Sequence, residues 1–258
     1  MTTFTLITGA STGIGKELSK LCASDGRNLV LVSRDHEKLH LLAENLLAKY
    51  RIQVEVLPKD LSTIDSANEI YDKVFSLDLE IDTLINNAGF GSLGAFHRSD
   101  LDNQLEMLRL NIVTLTQLTH YFLPAMIAKH SGKIMNIAST ASFQPGPYMA
   151  VYYASKAFVL SFSEALSEEL RKTGVTITAL CPGPTRTEFQ ARAKLGKSNL
   201  MRLGMHDAHR VAEVGYRAMV NGKTLAVPGL LNRLLMQSLR ISPRVLVRRV
   251  VRHLNIEH

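Results

Sequence analysis

Short apolar stretches alternate with longer amphipathic stretches from one end of the sequence to the other. The short stretches are rich in Val, Ile and Leu, a pattern typical of buried strands. They predict strands at 4–8, 28–33, 52–57, 82–86, 133–138, 175–181 and 223–227. The longer stretches repeat apolar residues at helical spacing. They predict helices at 13–25, 35–50, 63–76, 99–129, 152–172 and 206–220.

Strands that alternate with helices predict a parallel sheet that is covered by helices on both faces and joined by right-handed crossovers. We therefore predict an α/β fold with a Rossmann-type, doubly wound sheet of about seven strands. The chain of 258 residues contains no repeat, linker or low-complexity segment, so we predict a single dinucleotide-binding catalytic domain over 1–258. Ligands of such sheets bind beyond the carboxyl ends of the strands.

The first predicted strand runs into a glycine-rich turn and then into a helix. The three glycines of the turn have the spacing G-x-x-x-G-x-G. Glycine lets the backbone turn tightly and approach a pyrophosphate, while the helix N-terminus offers amide donors and the positive end of its dipole. The turn therefore predicts a dinucleotide site that includes Gly9, Ser11, Thr12, Gly13, Ile14 and Gly15.

The second predicted strand ends in Ser33 and Arg34, at the position where a fingerprint for NAD has an acid that binds the ribose 2′-hydroxyl. A guanidinium is suited instead to a phosphate, because its planar donors form charge-assisted pairs. This difference favours NADP(H) over NAD as the cofactor. The alternative interpretation is a solvated arginine at the end of a strand.

Tyr152 and Lys156 are four residues apart and share one face of a predicted helix, and Ser139 precedes them in the sequence. The ammonium favours phenolate and is expected to lower the pKa of the phenol from ~10. A phenol tuned in this way gives a proton to a carbonyl, or takes one from an alcohol, near neutral pH. Such proton transfer suits hydride transfer to or from a nicotinamide.

These motifs, taken in order, resemble those of the short-chain dehydrogenase/reductase family, in its compact oxidoreductase branch. Asp60-Leu61 is similar to the acid that contacts adenine after the third strand of that family. Asn86-Asn87-Ala88-Gly89 is similar to its fourth-strand signature, and the segment 182–187 resembles its motif on the nicotinamide side. The resemblance runs through nearly the whole chain.

The resemblance also implies a role for each site residue. It implies that Tyr152 is the general acid in reduction, and that Lys156 lowers the pKa of Tyr152 and holds the nicotinamide ribose. It implies that Ser139 orients the substrate oxygen, and that Asn111 holds a water that relays protons towards Lys156. The implied catalytic residues are Asn111, Ser139, Tyr152 and Lys156. The cofactor-binding residues beyond the glycine turn are Ser33, Arg34, Asp60, Leu61, Asn87, Ala88, Gly89, Tyr152, Lys156, Pro182, Gly183, Thr185 and Thr187.

Two further segments bear on substrate and assembly. Residues 186–205 follow the sixth predicted strand and show no clear period, and we interpret them as a substrate lid, with a plain surface helix as the alternative. An apolar stripe lies along the predicted helix 152–172. In the family that this chain resembles, helices of this type pack such stripes against a second subunit. The resemblance therefore favours a homo-oligomer, either a dimer or a tetramer. Core packing is the alternative interpretation of the stripe. The stripe consists of Phe158, Phe162, Leu166 and Leu170.

Much of the net charge of +7 lies in a basic C-terminal extension over 229–258. Residues 231–258 contain six arginines and one acid, Glu257, and valines recur beside the arginines at helical spacing. A basic amphipathic helix of this kind lies on an anionic membrane surface, covers the edge of a core or packs on a second subunit. All three interpretations remain open. We do not expect nucleic-acid binding, because no nucleic-acid-binding motif accompanies the charge.

Cys22 and Cys181 are far apart in apolar surroundings, which predicts buried free thiols in a reducing compartment. No apolar run reaches the ~18 residues of a membrane span, and the N-terminus enters the first strand without a signal-peptide pattern. We therefore expect a cytoplasmic protein. The histidines show no paired ligand spacing beside an acid or cysteine, so we expect no metal site.

The combined pattern predicts an NADP(H)-dependent oxidoreductase that reduces a carbonyl of a small molecule to an alcohol, or catalyses the reverse reaction. The basic and apolar residues of the lid and extension favour a hydrophobic or anionic acyl substrate, such as a 3-oxoacyl thioester. Two alternatives remain open. One is a catalytically silent, NADP-binding regulatory protein, and the other is a 3-oxoacyl reductase that works at a membrane surface.

Overall fold

The computed structural model describes residues 2–193 and 204–256. Within these ranges, the strands are β1 Thr3–Thr8, β2 Asn28–Ser33, β3 Val54–Pro58, β4 Glu80–Asn86, β5 Gly132–Ile137, β6 Val175–Leu180 and β7 Leu225–Ala226. They form one parallel sheet in the order β3-β2-β1-β4-β5-β6-β7. The order reverses between β1 and β4, which opens a crevice at the carboxyl ends of these strands. The predicted Rossmann-type, doubly wound fold is confirmed.

Helices cover both faces of this sheet. They are α1 Gly13–Ser24, α2 His36–Lys49, α3 Ser66–Ser76, α4 Leu101–Leu108, α5 Leu115–Ala128, α6 Ala150–Glu169, α7 Phe189–Arg192, α8 Ala208–Val220, α9 Leu230–Ser238 and α10 Arg244–Asn255. Short 3-10 helices occupy Phe96–Arg98 and Thr140–Phe143. The predicted helices lie where the sequence places them, with ends that differ by a few residues, except for the segment 99–129.

The segment 99–129 is not one continuous α-helix. A π-helical turn, Arg109–Thr114, separates α4 from α5 and buries Asn111 at its centre. Apolar spacing does not identify such a turn, because a single turn of six residues is too short to show a period of its own. π-turns inside α-helices are frequent at functional sites.

The core lies on both sides of the sheet because helices cover both sides. Successive residues of a strand point to opposite faces. Thus Leu6 of β1 packs on one side with Phe122 of α5. The next residue, Ile7, packs on the other side with Leu18 of α1 and Val211 of α8. This two-sided burial explains why the strands read as continuous apolar runs.

The basic C-terminal extension folds into two helices, α9 and α10. The sequence pattern does not predict α9, because its leucines point outwards while Met236 is its buried residue. α10 follows the predicted helical spacing and buries Val247 and Val251 against Met149 and Tyr153 at the start of α6. This face of α10 covers the edge of a core, while its other faces remain exposed.

Cys22 and Cys181 are both buried free thiols, as the sequence predicts. Within residues 2–193 and 204–256, no helix combines the length and the apolar character that crossing a bilayer requires.

A buried polar network joins the centre of the sheet to the helices beside it. Asn86 Nδ2 of β4 donates to Asn136 Oδ1 of β5 at 2.9 Å and to Thr119 Oγ1 of α5 at 3.1 Å. Asn136 Nδ2 in turn donates to Ser163 Oγ of α6 at 2.9 Å. All four side chains are buried, so each hydrogen bond replaces water that the interior excludes.

We expect Asn136→Ala to lower the free energy of unfolding by roughly 2–3 kcal/mol, because it removes one buried hydrogen bond from Asn86 and one from Ser163. Urea unfolding followed by circular dichroism measures the change. Asn45→Ala is the matched control, since the exposed Asn45 bonds only the carbonyl of Leu41 within its own helix and should change stability by less than about 0.5 kcal/mol. Equal losses in the two variants would contradict a structural role for the network.

Candidate active site

A cleft of about 660 Å³ opens at the carboxyl ends of the strands, where β1 and β4 diverge. It brings together the predicted site residues from seven separate segments of the chain. Those that line it are Gly9, Ser11, Thr12, Gly13, Ile14, Ser33, Arg34, Asp60, Leu61, Asn87, Ala88, Gly89, Ser139, Tyr152, Lys156, Pro182, Gly183, Thr185 and Thr187. Two predicted site residues, Gly15 and Asn111, lie behind this lining instead.

The glycine turn between β1 and α1 lets its backbone lie close to neighbouring segments of the chain. Gly9 and Gly13 have φ of 63° and 54°, in the left-handed region that favours glycine. A Cβ on Gly9 would lie 2.8 Å from Asn87 Nδ2, and one on Gly13 would lie 2.8 Å from Thr187 Cγ2. Thr12 precedes α1 without capping it through its side chain, so the first amides of α1 remain available for an anionic ligand.

Gly15 stands behind the turn and permits it to form. A Cβ at this position would collide with the carbonyl of Gly9 and with Asn87 Nδ2. The structure therefore assigns Gly15 a packing role between α1 and the end of β1, and does not place it at the cleft surface.

Asn87 ties the ends of β1 and β4 together. Its Nδ2 donates to the carbonyls of Thr8 and Gly9 at 2.9 and 3.0 Å. Thr8 Oγ1 accepts in return from the amides of Asn87 and Ala88 at 2.9 and 3.0 Å. These hydrogen bonds fix the glycine turn beside the segment that follows β4.

The end of β2 presents hydroxyl and guanidinium groups at one edge of the cleft. Ser33 Oγ and Ser11 Oγ lie 2.7 Å apart, and Arg34 Nη1 donates to Asp60 Oδ2 at 3.3 Å. Burial raises the pKa of Asp60, but hydrogen bonds from Ser62 and the charge of Arg34 outweigh burial and leave this pKa below its usual range. Arg34 remains about half exposed, so its guanidinium can exchange Asp60 for an external anion.

Arg192, at the end of α7, lines the cleft although no sequence motif marks it. Its guanidinium lies over the ring of Phe90, 4.4 Å from the centroid. Burial and the neighbouring charge of Arg34 both lower the pKa of Arg192. Two guanidiniums thus act on the same edge of the cleft. Only the fold brings residues 34 and 192 together, so no local motif could have revealed the pair.

Ser139 and Tyr152 form the opposite end of the cleft. Ser139 follows β5, accepts a hydrogen bond from the amide of Ala141 at 3.1 Å and donates weakly to the carbonyl of Pro182 at 3.4 Å. A hydrogen bond links its hydroxyl to the phenol of Tyr152, one turn before Lys156 on α6. The structure therefore brings Ser139, Tyr152 and Lys156 together in one cleft.

The predicted lowering of the Tyr152 pKa by Lys156 is wrong for this structure. Burial raises the pKa of Tyr152 well above its usual value, and the hydrogen bond from Ser139 offsets this only in part. Lys156 Nζ lies 6.0 Å from the centre of the Tyr152 ring and donates to the carbonyl of Ile137 at 2.7 Å. Burial lowers the pKa of Lys156 to about 8. Burial thus favours the neutral form of both groups.

Asn111 supports the site from behind. Its Nδ2 donates to the carbonyl of Phe90 and to Ser155 Oγ, both at 3.0 Å, and its Oδ1 accepts from the amide of Phe90 at 3.2 Å. A Cβ on Gly89 would lie 2.9 Å from Asn111 Oδ1. The side chain therefore holds the segment after β4 against α6. The implied role in a proton relay stays a prediction.

An apolar cover lies over Tyr152. Phe189 of α7 places its ring 5.4 Å from that of Tyr152, and Tyr153 lies beside it at 6.0 Å. Tyr153 Oη donates to Asn255 Oδ1 of α10 at 3.4 Å, which draws the C-terminal helix into the wall of the site. Of the predicted lid 186–205, the residues 194–203 lie outside the described part of the chain, and lid movement stays a prediction.

Across residues 2–193 and 204–256, no three His, Cys, Asp or Glu side chains are grouped closely enough to hold a metal ion. His206 and His209, whose spacing is the closest to a ligand pair, bond instead to Asn232 and Glu17 respectively.

The family model of the short chain dehydrogenases matches residues 3–198. Among curated proteins, the very-long-chain 3-oxoacyl-CoA reductase of Mus musculus is 32% identical over 201 residues, which are 76% of this chain and 62% of that protein. The chain thus spans about three fifths of the length of this relative. An uncharacterized oxidoreductase of Staphylococcus saprophyticus is 30% identical over 215 residues, which cover 81% of this chain and 92% of that protein.

Solved structures with the same fold include two at similar identity. A short-chain dehydrogenase from Sphingobium yanoikuyae in complex with NADPH is 30% identical, with a TM-score of 0.83 over 94% of this chain and 96% of that one. A bulky-bulky ketone specific alcohol dehydrogenase from Comamonas testosteroni is 29% identical, with a TM-score of 0.78 over 94% of this chain and 95% of that one.

The buried Lys156 predicts a pH dependence of stability. Its folded pKa of about 8 lies below the ordinary value of 10.5, so folding is penalised most below pH 8, where both states hold the proton. Between pH 8 and 10.5 only the unfolded state holds it, and stability rises with pH. We expect the stability gained by Lys156→Met over wild type to shrink across this window.

Urea unfolding at a series of pH values measures this difference in the protein without added cofactor. Lys172→Met, at an exposed position, is the matched control. A gain that stays constant between pH 8 and 10.5 would show that Lys156 is fully protonated in the folded protein throughout this range.

Proposed function

This chain belongs to the short-chain dehydrogenase/reductase family, and we propose that it transfers a hydride between a nicotinamide cofactor and the carbonyl or alcohol carbon of a small molecule. One observation carries the proposal. The cleft places the hydroxyls of Ser139 and Tyr152 and the ammonium of Lys156 at one end and a glycine turn with free helix amides at the other. Proton transfer and dinucleotide binding therefore meet in one cavity.

The residues of the cleft account for the proton side of the reaction. When bound, the nicotinamide supplies or accepts the hydride. Because burial raises its pKa, Tyr152 keeps its proton at neutral pH, which is the state required to donate to a carbonyl oxygen. Ser139 stabilises the developing alkoxide as a neutral donor. We assign Lys156, which lines the same cavity, to the nicotinamide ribose.

We propose NADP(H) as the cofactor. Arg34 and the hydroxyls of Ser11 and Ser33 form a pocket for a ribose phosphate, and Arg192 adds a second positive charge at the same edge. Asp60 pairs with Arg34, but the guanidinium of Arg34 remains exposed. A dianionic phosphate can therefore replace Asp60 as the partner of Arg34. The relative from Sphingobium yanoikuyae, whose complex contains NADPH, supports the same choice.

We propose a 3-oxoacyl thioester as the substrate class. The end of the cleft near Tyr152 is walled by apolar side chains, which suit an acyl chain. The lining side chains include Met149, Tyr153 and Phe189, and Val247 and Val251 of α10 pack behind the first two. The curated relatives named as very-long-chain 3-oxoacyl-CoA reductases support this choice over a small polar ketone.

A homo-oligomer stays a prediction that the mass in solution would test. Leu170 is buried in the core, and Leu166 packs against it, which fits the core interpretation for that half of the stripe. Phe158 and Phe162 stack at 5.6 Å, and Phe158 is exposed. An interface would therefore centre on the two phenylalanines of α6.

We expect Tyr152→Phe to lower the rate of NADPH oxidation by about 10²–10⁴-fold, because the proton donor is lost, and to leave NADPH binding unchanged. The assay follows absorbance with a panel of ketones, aldehydes and 3-oxoacyl thioesters. Tyr153→Phe is the matched control, since it removes only the hydroxyl of the neighbouring tyrosine and its hydrogen bond to Asn255. If the wild-type protein binds NADPH but turns over no member of the panel, the catalytically silent regulatory alternative gains support.

Arg34→Gln should weaken NADPH binding by about 10- to 100-fold and leave NADH binding nearly unchanged, because a charged hydrogen bond to phosphate is replaced by a neutral one. Fluorescence titration of each cofactor measures the two affinities. Arg51→Gln, at an exposed position between α2 and β3, is the control. A wild-type preference for NADH would overturn the assignment of Arg34 as the selecting residue.

A further inference from the structure

An unusual concentration of exposed apolar side chains marks the two C-terminal helices. Of the twenty large apolar side chains that are exposed in the described part of the chain, eight lie between positions 230 and 250. They are Leu230, Leu231, Leu234, Leu235, Ile241, Val245, Leu246 and Val250, with exposed fractions from 48% to 88%. Single exposed apolar residues are common, but a cluster of this kind marks an interaction site.

The leucines of α9 point the opposite way from those of an ordinary surface helix. Met236 is buried, while Leu230, Leu231, Leu234 and Leu235 occupy the outer side of the helix. A helix normally turns its apolar stripe towards the core and its polar residues towards water. α9 therefore presents an apolar face that requires a further surface to cover it.

α10, the next helix along the chain, carries positive charge. Arg244, Arg248 and Arg252 recur every four residues and form one exposed stripe, while Leu246 and Val250 form a second exposed stripe at the same spacing. Positions 229–256 contain six arginines and no acid. In the described part of the chain, none of these six arginines pairs with a carboxylate. We call α9, α10 and the connection between them the basic apolar surface.

We propose that the basic apolar surface docks on an anionic lipid membrane. Apolar side chains that insert at the headgroup boundary, together with arginines that remain among the headgroups, are the two contributions that hold peripheral helices on such membranes. A second copy of this chain is a poorer occupant, because it would bring a second set of unpaired arginines against the first. The partner must offer negative charge for the arginines and an apolar interior for the leucines and valines. An anionic bilayer offers both.

The position of this surface links it to the cleft. Val247 and Val251, on the inner face of α10, pack against Met149 and Tyr153, which line the cleft. Asn255 Nδ2 also donates to the carbonyl of Pro147 at 2.9 Å, and this bond holds α10 beside the start of α6. A membrane on the outer face of α10 would lie next to the apolar end of the cleft. The proposal goes beyond the proposed function, because docking requires no turnover.

Co-sedimentation of the full chain with lipid vesicles tests the proposal. Vesicles of phosphatidylcholine alone are compared with vesicles that also contain phosphatidylglycerol, each at low and high salt. We expect the protein to sediment with the anionic vesicles, to bind neutral vesicles far more weakly, and to lose binding as salt increases. Absence of sedimentation with anionic vesicles at low salt would overturn the proposal.

Two sets of variants separate the contributions. Arg244→Gln/Arg248→Gln/Arg252→Gln should weaken binding to anionic vesicles by roughly 100-fold, about fivefold for each arginine. Leu230→Ser/Leu231→Ser/Leu234→Ser should reduce the binding that persists at high salt. Arg51→Gln/Arg171→Gln and Leu41→Ser/Leu47→Ser alter the same residue types at exposed positions elsewhere and should bind as wild type.

Circular dichroism confirms that each variant folds, and NADPH binding is measured separately, so failure of docking and failure of the proposed function are distinguishable. Light scattering gives the mass of each variant in solution. If the leucine variant lowers the mass and leaves vesicle binding intact, the surface is an interface between copies of the chain and the membrane proposal is wrong.

Discussion

The contact between the ends of β1 and β4 is the constraint on which the rest of the site depends. Asn87 donates to two carbonyls of the glycine turn, and Thr8 accepts from two amides of the opposite segment. This approach is possible because Gly9 and Gly15 have no Cβ in a space that Asn87 fills. The crevice at the strand reversal is therefore held open at a fixed width, and every other group of the cleft is positioned relative to it.

The two ends of the cleft are formed by different kinds of group. The dinucleotide end consists of backbone, hydroxyl and guanidinium groups at the ends of β1, β2 and β4, and the sheet holds them rigidly. The reactive end has an apolar cover from α7 and α10, with Phe189 over Tyr152 and Asn255 bonded to Tyr153. Burial of this end of the cleft raises the pKa of Tyr152 and lowers the pKa of Lys156, because both groups are desolvated there. A proton donor and an apolar acyl chain have the same requirement for a site that excludes water.

The C-terminal helices connect this reactive end to the outer surface. One face of α10 packs through Val247 and Val251 against Met149 and Tyr153, which line the cleft, while its remaining faces carry unpaired arginines and exposed apolar side chains. The interpretations that the sequence leaves open for this segment are therefore not exclusive. Core packing describes the inner face, and docking on an anionic bilayer is our proposal for the outer one.

The sequence alone determines the order of strands and helices, the glycine turn, the Tyr152–Lys156 spacing and the arginine at the end of β2, because each depends on neighbours within a few residues. Three features required the tertiary structure. The π-turn at Asn111 depends on contacts with Phe90 and Ser155. Arg192 reaches Arg34 only through the fold, and the outward leucines of α9 are defined by what its other face contacts. The pKa of Tyr152 differs most from its prediction. Spacing shows which charge is near a phenol, whereas burial depends on residues from distant parts of the chain, and here burial is the larger effect.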